Sequence, residues 1–407
     1  MKIGILGGTF SPIHDGHLRL ARTYARELEL DRVLFIPTAV PPHKEAPGLP
    51  DGEHRCRMTE LALSGHPGFE LSEIEQQRPG RSYTVDTLTQ LHGLYPGAEL
   101  YFLAGSDMFR TVLDWHRGEE IVRLATVCTM ERGEDTAAQL EDQASRIIAA
   151  GGSARVIHAP PMDISSTGIR RRLAEGCRDA AALGIAPAVL DYIWQNGLYG
   201  TSPEDYPWPV ERYIARAREL EKPERFEHSM NVARRAAELA ERYGSSRRLC
   251  YIAGVLHDIC KNLPQEQQFS LLKRLRGGLK SVIINDKSLA EVPPIWHGPA
   301  AAAYLYDELG VYSREILAAV AYHTTGRAGM TLFEKIIYVA DLTSAERDYP
   351  DAVQLRELAD RDLDAAIRES LLFTLKKMKK HATPLTGDTV RVMEEYGVLT
   401  DRKEEIR

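Results

Sequence analysis

The first seventeen residues constrain this chain more than any other stretch. Lys2-Ile3-Gly4-Ile5-Leu6 is a short apolar run that reads as a buried strand and closes in Gly7-Gly8. The loop Thr9-Phe10-Ser11-Pro12-Ile13-His14-Asp15-Gly16-His17 follows, with two histidines three residues apart. Leu18 to Ala25 then reads as helix. Such a strand–loop–helix unit offers backbone N–H groups and the positive end of a helix dipole, which suit an anion. Gly7, Gly8 and Gly16 are expected to let a phosphate approach the backbone. The imidazoles of His14 and His17 can hydrogen-bond phosphate oxygens without acting as covalent nucleophiles.

A length of 407 residues implies two or more domains, and 43% hydrophobic residues is ordinary for a globular protein. A net charge of -7 argues against nucleic acid or an anionic membrane as the main partner. Small phosphorylated ligands stay open, because they need only local cations. The five cysteines are scattered and include no C-x-x-C, so a disulfide framework is not expected. A reducing, cytoplasmic setting fits them best. No run reaches the length of a membrane span, and no leader precedes the first strand.

Residues 1–200 alternate strands and helices. Val33–Pro37, Leu100–Gly105 and Ala125–Met130 read as buried strands, with helices over Glu53–Ser64 and Val85–Tyr95. This predicts an α/β fold with a doubly wound parallel sheet and ligands at its carboxyl edge. Gly200 to Pro209 holds three prolines and a glycine, which predicts a linker over 201–208. Beyond it apolar residues recur at helical spacing, as in Leu249, Ile252, Ala253 and Leu256. An all-α domain is therefore expected over 209–385, followed by a tail at 386–407 with one more helix and a solvated end.

The segment G-G-T-F-x-P-I-H-x-G-H resembles the H-x-G-H signature of the nucleotidylyltransferase superfamily, and it implies a Rossmann-like fold. Pro41-Pro42-His43-Lys44, Ala104-Gly105-Ser106-Asp107 and Ile164-Ser165-Ser166-Thr167-Gly168-Ile169-Arg170 continue the pattern in order. The resemblance implies ATP as donor, with Mg²⁺ on the triphosphate, and His14, His17, Lys44 and Arg170 as catalytic groups. It assigns Gly7, Gly8, Thr9, Phe10, Gly105, Asp107, Ile164, Ser165 and Thr167 to ATP. Ser82-Tyr83-Thr84-Val85-Asp86-Thr87-Leu88, Trp115-His116 and Asp191–Tyr199 look like the bacterial nicotinate-mononucleotide adenylyltransferase branch. That likeness puts nicotinate against Tyr83, Thr84 and Trp115; pantetheine phosphate is the rival acceptor. Ser11 departs from the family, which commonly has an acidic or amide residue there.

In the second half His228, the pair His257-Asp258, then His297, His323 and Asp341 follow one another at points where helices could converge. Imidazole with carboxylate suits Fe, Mn, Co or Zn, and a shared Asp could bridge two ions. The order H…HD…H…H…D resembles the two-metal form of the HD-domain phosphohydrolase superfamily. Val255–Lys261, His323–Gly326, Glu334–Asp341 and Ala345–Pro350 look like the bacterial branch that hydrolyses diadenosine tetraphosphate symmetrically to two ADP. The resemblance implies two transition-metal ions, iron first with manganese or cobalt as alternatives, and phosphate contacts from Lys261 and Arg347. A nucleoside monophosphatase, a phosphodiesterase and a non-catalytic nucleotide-sensing module are the alternatives for this half. A homo-oligomer is compatible with everything above.

Overall fold

A computed structural model describes residues 1–40, 48–131, 137–157, 164–276, 292–348, 350–381 and 385–399. The chain divides into two compact units, Met1–Thr201 and Ser202–Arg407.

The described part of the first unit has six strands: β1 (Lys2–Gly8), β2 (Arg32–Pro37), β3 (Phe69–Leu71), β4 (Glu99–Ala104), β5 (Thr126–Met130) and β6 (Ser153–Ile157). They form one parallel sheet in the order β3-β2-β1-β4-β5-β6. This is the doubly wound sheet expected from the alternating pattern. Ile3, Ile5, Val33, Phe35 and Val127 are fully or nearly fully buried, as central strands covered on both faces require. Strand order reverses between β1 and β4, the switch point at whose carboxyl ends sheets of this kind bind their ligands. Gly7-Gly8 closes β1 and Gly105 follows β4, so both glycine segments reach this switch point.

In the second unit every regular element among the described residues is helical. Two glycines set how closely the helices approach. A Cβ on Gly254 would lie 2.5 Å from Ala233 Cα, so only glycine lets the Arg247–Leu256 and Pro223–Tyr243 helices touch at that depth. A Cβ on Gly298 would lie 2.9 Å from the Ala321 carbonyl oxygen, where the His297–Leu309 and Arg314–Tyr322 helices meet. His228 and His257 ride on the first pair, and His297 and His323 on the second.

The stretch 201–208, expected to be a linker, is not a free tether. Pro203–Asp205 forms a 3₁₀ turn. Trp208 is only 4% exposed, sits in the core of the second unit and donates its indole N–H to the Pro203 carbonyl at 2.9 Å. The prolines stop a helix here, but Trp208 carries enough apolar area to be pulled into the core. The expected tail holds the Gly387–Glu395 helix, whose Val392 and Met393 are fully buried in the same core; residues 400–407 lie outside the described residues. All five cysteines are free. No described helix is long and apolar enough to cross a membrane.

Candidate active sites

The first candidate site is built on the turn after β1. His14 occupies the N-cap of the Asp15–Glu27 helix, and its backbone N–H donates to His17 Nδ1 at 3.2 Å. That bond uses the Nδ1 lone pair, so the neutral His17 ring carries its proton on Nε2, as a donor. The His14 and His17 rings lie 3.8 Å apart, and Phe10 packs edge-on against His17 at 5.1 Å. The glycines differ in what they do. Nothing lies within 4 Å of a Cβ placed on Gly7, whereas one on Gly8 would meet the Phe10 ring at 3.1 Å. A Cβ on Gly16 would meet His14 Nδ1 at 2.8 Å, so Gly16 makes room for an imidazole. Of the three, only Gly7 leaves the open backbone approach that the sequence suggested for all.

The Ser166–Ala174 helix docks its start on this turn. Ser165 caps it by accepting from Gly168 N–H at 3.2 Å, and Ser166 Oγ donates to the Pro12 carbonyl at 3.0 Å. Arg170 donates to the Ser11 carbonyl at 2.7 Å and to Thr167 Oγ1 at 3.1 Å. Ile164 packs beside Gly16 and Gly184. The unusual Ser11 is accommodated by Tyr199, whose hydroxyl lies 3.0 Å from its own. Asp107 stands exposed in the first turn of the Ser106–Thr111 helix, and Gly105 is its N-cap. Lys44 lies outside the described residues.

Tyr83, Thr84 and Trp115 form a second group. Tyr83 is the N-cap of the Thr84–Leu94 helix and is half-buried, with the His116 ring 4.4 Å away. Trp115 is half-buried against Phe102 and donates its indole N–H to Thr111 Oγ1 at 3.1 Å. His116, next to Trp115, joins this group through its ring contact with Tyr83.

The second candidate site is a buried cluster. Asp258 is 2% exposed, and its two carboxylate oxygens face different histidines. Oδ2 lies 3.6 Å from His257 Nε2 and 4.0 Å from His228 Nε2. Oδ1 lies 3.2 Å from His297 Nε2 and 3.5 Å from His323 Nε2. Asp341 Oδ1 sits 3.0 Å from His228 Nε2. All six residues proposed as metal ligands from the sequence therefore meet at one point.

The outer face of each ring explains this convergence. His257 Nδ1 donates to the Gly254 carbonyl at 2.7 Å, and His323 Nδ1 to the Val320 carbonyl at 2.8 Å. Both rings cap their own helix ends, using carbonyls that the last turn leaves without a partner. His297 Nδ1 donates to the Pro294 carbonyl at 3.0 Å, and His228 Nδ1 to the Glu346 carboxylate. With Nδ1 occupied, all four rings turn Nε2 inward, the second-shell arrangement that orients metal ligands.

The electrostatics fit a divalent cation. Burial pushes His257 down to about 4 and His297 down to about 3, which keeps their Nε2 lone pairs available. Burial also works against charge on His228, but its bonds to Asp341 and Glu346 outweigh it and raise the value. Burial opposes ionisation of Asp258 too, yet the surrounding imidazoles hold it well below the usual carboxylate range. His257 Nε2 and Asp258 Oδ1 are buried without a hydrogen-bond partner. The His297 and His323 Nε2 atoms lie 3.1 Å apart, with the Thr324 hydroxyl 3.1 and 2.9 Å from them. The donor set, two carboxylates with four neutral-capable imidazoles, is that of a transition-metal site.

Beside the cluster opens a cavity of about 380 Å³ lined by Lys222, Arg225, His228, Asn262, Glu346 and Arg347, among others. Arg347 reaches Asp341 at 2.8 Å, and Lys261 Nζ lies 3.1 Å from His297 Nε2. The sequence reading missed Arg225, which reaches Asp258 Oδ2 at 2.8 Å. It lies three residues before His228 on one helix face, a spacing that could have revealed it. Glu346 was also missed, although it adjoins Arg347.

The comparisons with known proteins divide at the same place as the chain. The "Cytidylyltransferase-like" family model matches residues 5–172, and the "HD domain" model matches residues 225–346. Relatives named "Probable nicotinate-nucleotide adenylyltransferase" match the first half. The one from Trichlorobacter lovleyi is 39% identical, over 49% of this chain and 99% of its own length. Those from Pelobacter propionicus and Thermus thermophilus are 43% and 42% identical and are covered completely, over 50% and 49% of this chain. Among solved structures, a "predicted HD superfamily hydrolase involved in NAD metabolism" from Clostridium acetobutylicum is 27% identical, over 47% of this chain and 98% of its own, with a TM-score of 0.42. A nicotinic acid mononucleotide adenylyltransferase from Plasmodium falciparum, complexed with NaAD, is 22% identical, over 50% of this chain and 98% of its own, at 0.42.

Proposed function

Over its first half this chain belongs to the nicotinate-nucleotide adenylyltransferase family, joined to an HD domain, and from that premise we propose that it is a bifunctional enzyme. The first unit transfers the adenylyl group of ATP to nicotinate mononucleotide, a step of NAD biosynthesis. The observation that carries this is the full-length match to the adenylyltransferases, with the two histidines at the sheet's switch point.

The acceptor's phosphate oxygen attacks the α-phosphorus; a new P–O bond forms and the bond to the β-phosphate oxygen breaks, releasing pyrophosphate. No protein nucleophile is needed. His17 donates from Nε2 to an α-phosphate oxygen, where charge builds in the transition state. His14 contacts the phosphates and Arg170 adds a positive group, and Ser165 and Thr167 at a helix start receive the outer phosphates. Lys44 completes the cation set. Tyr83, Thr84 and Trp115 receive the nicotinate ring. Trp115→Ala should cost acceptor binding on the order of 1–3 kcal/mol, the range for base–aromatic stacking. The check is the KM for nicotinate mononucleotide, which rises while that for ATP holds. An unchanged acceptor KM would reduce Trp115 to a core cap.

For the second unit we infer metal-dependent hydrolysis of diadenosine tetraphosphate to two ADP. His228, His257, Asp258 and Asp341 would hold one divalent ion, and Asp258, His297 and His323 a second, with iron first and manganese or cobalt as alternatives. Such ions supply Lewis acidity toward water and a phosphate oxygen. Lys222, Arg225 and Arg347 line the cavity, and we propose that Arg347 and Lys261, whose Nζ lies 3.1 Å from His297 Nε2, hold flanking phosphates together with Arg225. Chromatography of the products is the test. ADP alone is expected; AMP plus ATP would mean asymmetric cleavage, and no cleavage with metal bound would favour a sensing module. Both activities are proposed to work in the cytoplasm.

A further inference from the structure

The first unit contains a buried cation that none of the roles above uses. Arg55, on the Gly52–Leu63 helix, is 1% exposed. Three of its nitrogens each donate to a different backbone carbonyl. Nη1 reaches Thr9 at 3.0 Å, Nη2 reaches Ala39 at 3.2 Å, and Nε reaches Pro50 at 3.1 Å. Thr9 follows the open Gly7 at the end of β1, in the turn that carries the histidines. Ala39 follows β2, and its neighbour Val40 exchanges bonds with Ser82, adjacent to Tyr83: Ser82 N–H donates to the Val40 carbonyl at 3.1 Å, and Val40 N–H to Ser82 Oγ at 3.3 Å. One guanidinium thus joins the ATP-side turn to the segment that ties down the acceptor side.

Burial disfavours the charged guanidinium and lowers its pKa, so this placement costs stability unless the bonds offset it. A core needing only volume at this position would be served by an apolar side chain. Three carbonyls from three separate segments instead match the fixed fork of arginine, which a lysine cannot reproduce.

We propose that Arg55 is a positioning residue for adenylyl transfer, holding the Thr9 turn and the Ala39–Val40 segment in the register that aligns donor and acceptor. The proposal rests on the transferase reading. Its signature is a defect in alignment rather than in binding.

The test uses the full-length chain with Arg55→Lys, which keeps charge and stem but not the fork. ATP affinity is measured by calorimetry, and turnover is expressed per ATP-binding site, so a partly unfolded population drops out. We expect near wild-type ATP affinity with kcat lowered at least about tenfold, since a misplacement near 1 Å can cost ~10²-fold. Wild-type kcat per binding site would overturn the proposal. If Arg55→Lys does not fold, Gln76→Met takes its place. Gln76 donates to the Pro37 carbonyl at 2.8 Å and so ties down the end of β2, two residues before Ala39. It should show a smaller kcat loss at unchanged ATP affinity, and wild-type kcat there would equally overturn the proposal. An inactive wild-type chain would instead refute the transferase reading itself.

Discussion

His17→Ala should lower adenylyl transfer by about 10²-fold or more, the usual cost of removing one preorganised transition-state donor. The reason lies in the tautomer. The His14 amide holds His17 Nδ1 as an acceptor, so the ring presents Nε2–H in a fixed direction. A preorganised donor needs no reorientation as charge accumulates on the α-phosphate. The fold should survive, because His17 is only half-buried and lies in the first turn of its helix. ATP binding should weaken far less than kcat falls. Hydrolysis of diadenosine tetraphosphate by the same protein should be unchanged, since the two units have separate cores. A variant with most of its transferase rate would show that His17 only shapes the turn.

Asp258→Ala should abolish hydrolysis and reduce the transition-metal content of the protein, and chelation of the wild type should do the same. Asp258 is the residue whose two oxygens face different histidine pairs, so one substitution disturbs both halves of the cluster. The transferase should keep its rate. Elemental analysis of wild type and variant, beside both activities, reads the effect. Active wild-type protein without any transition metal would refute the site.

Much of this was legible in the sequence because the strongest signals are local. β1, β2, β4 and β5 are central strands covered on both faces, so they read as continuous apolar runs. β3 and β6 were not singled out. They are the sheet edges, one of three residues and the other Ser-Ala-Arg-Val-Ile, and half-exposed strands carry weaker patterns. The six metal-ligand candidates were legible as residue types at points where helices could converge. What joins them was not. Gly254 and Gly298 act through the contact a Cβ would make with another helix, and nothing local announces that. Glu346 and Arg225 matter through bonds spanning 118 and 33 residues. Trp208 was hidden among prolines that signal a linker, because backbone signals say nothing about where a large apolar ring goes. The glycines of the first turn were read alike, yet Gly8 and Gly16 accommodate Phe10 and His14 while Gly7 alone stays open.

The most direct measurement is a product assay of the full-length chain with ATP and Mg²⁺, offering nicotinate mononucleotide, nicotinamide mononucleotide or pantetheine phosphate as acceptor. The acceptor site is read as one that receives a carboxylate-bearing ring. A polar site rejects an analogue that leaves its donors unpaired. Nicotinate adenine dinucleotide and pyrophosphate should appear in equal amounts, with kcat/KM far above that for either rival. Equal use of the two pyridine nucleotides, or preference for pantetheine phosphate, would contradict the account.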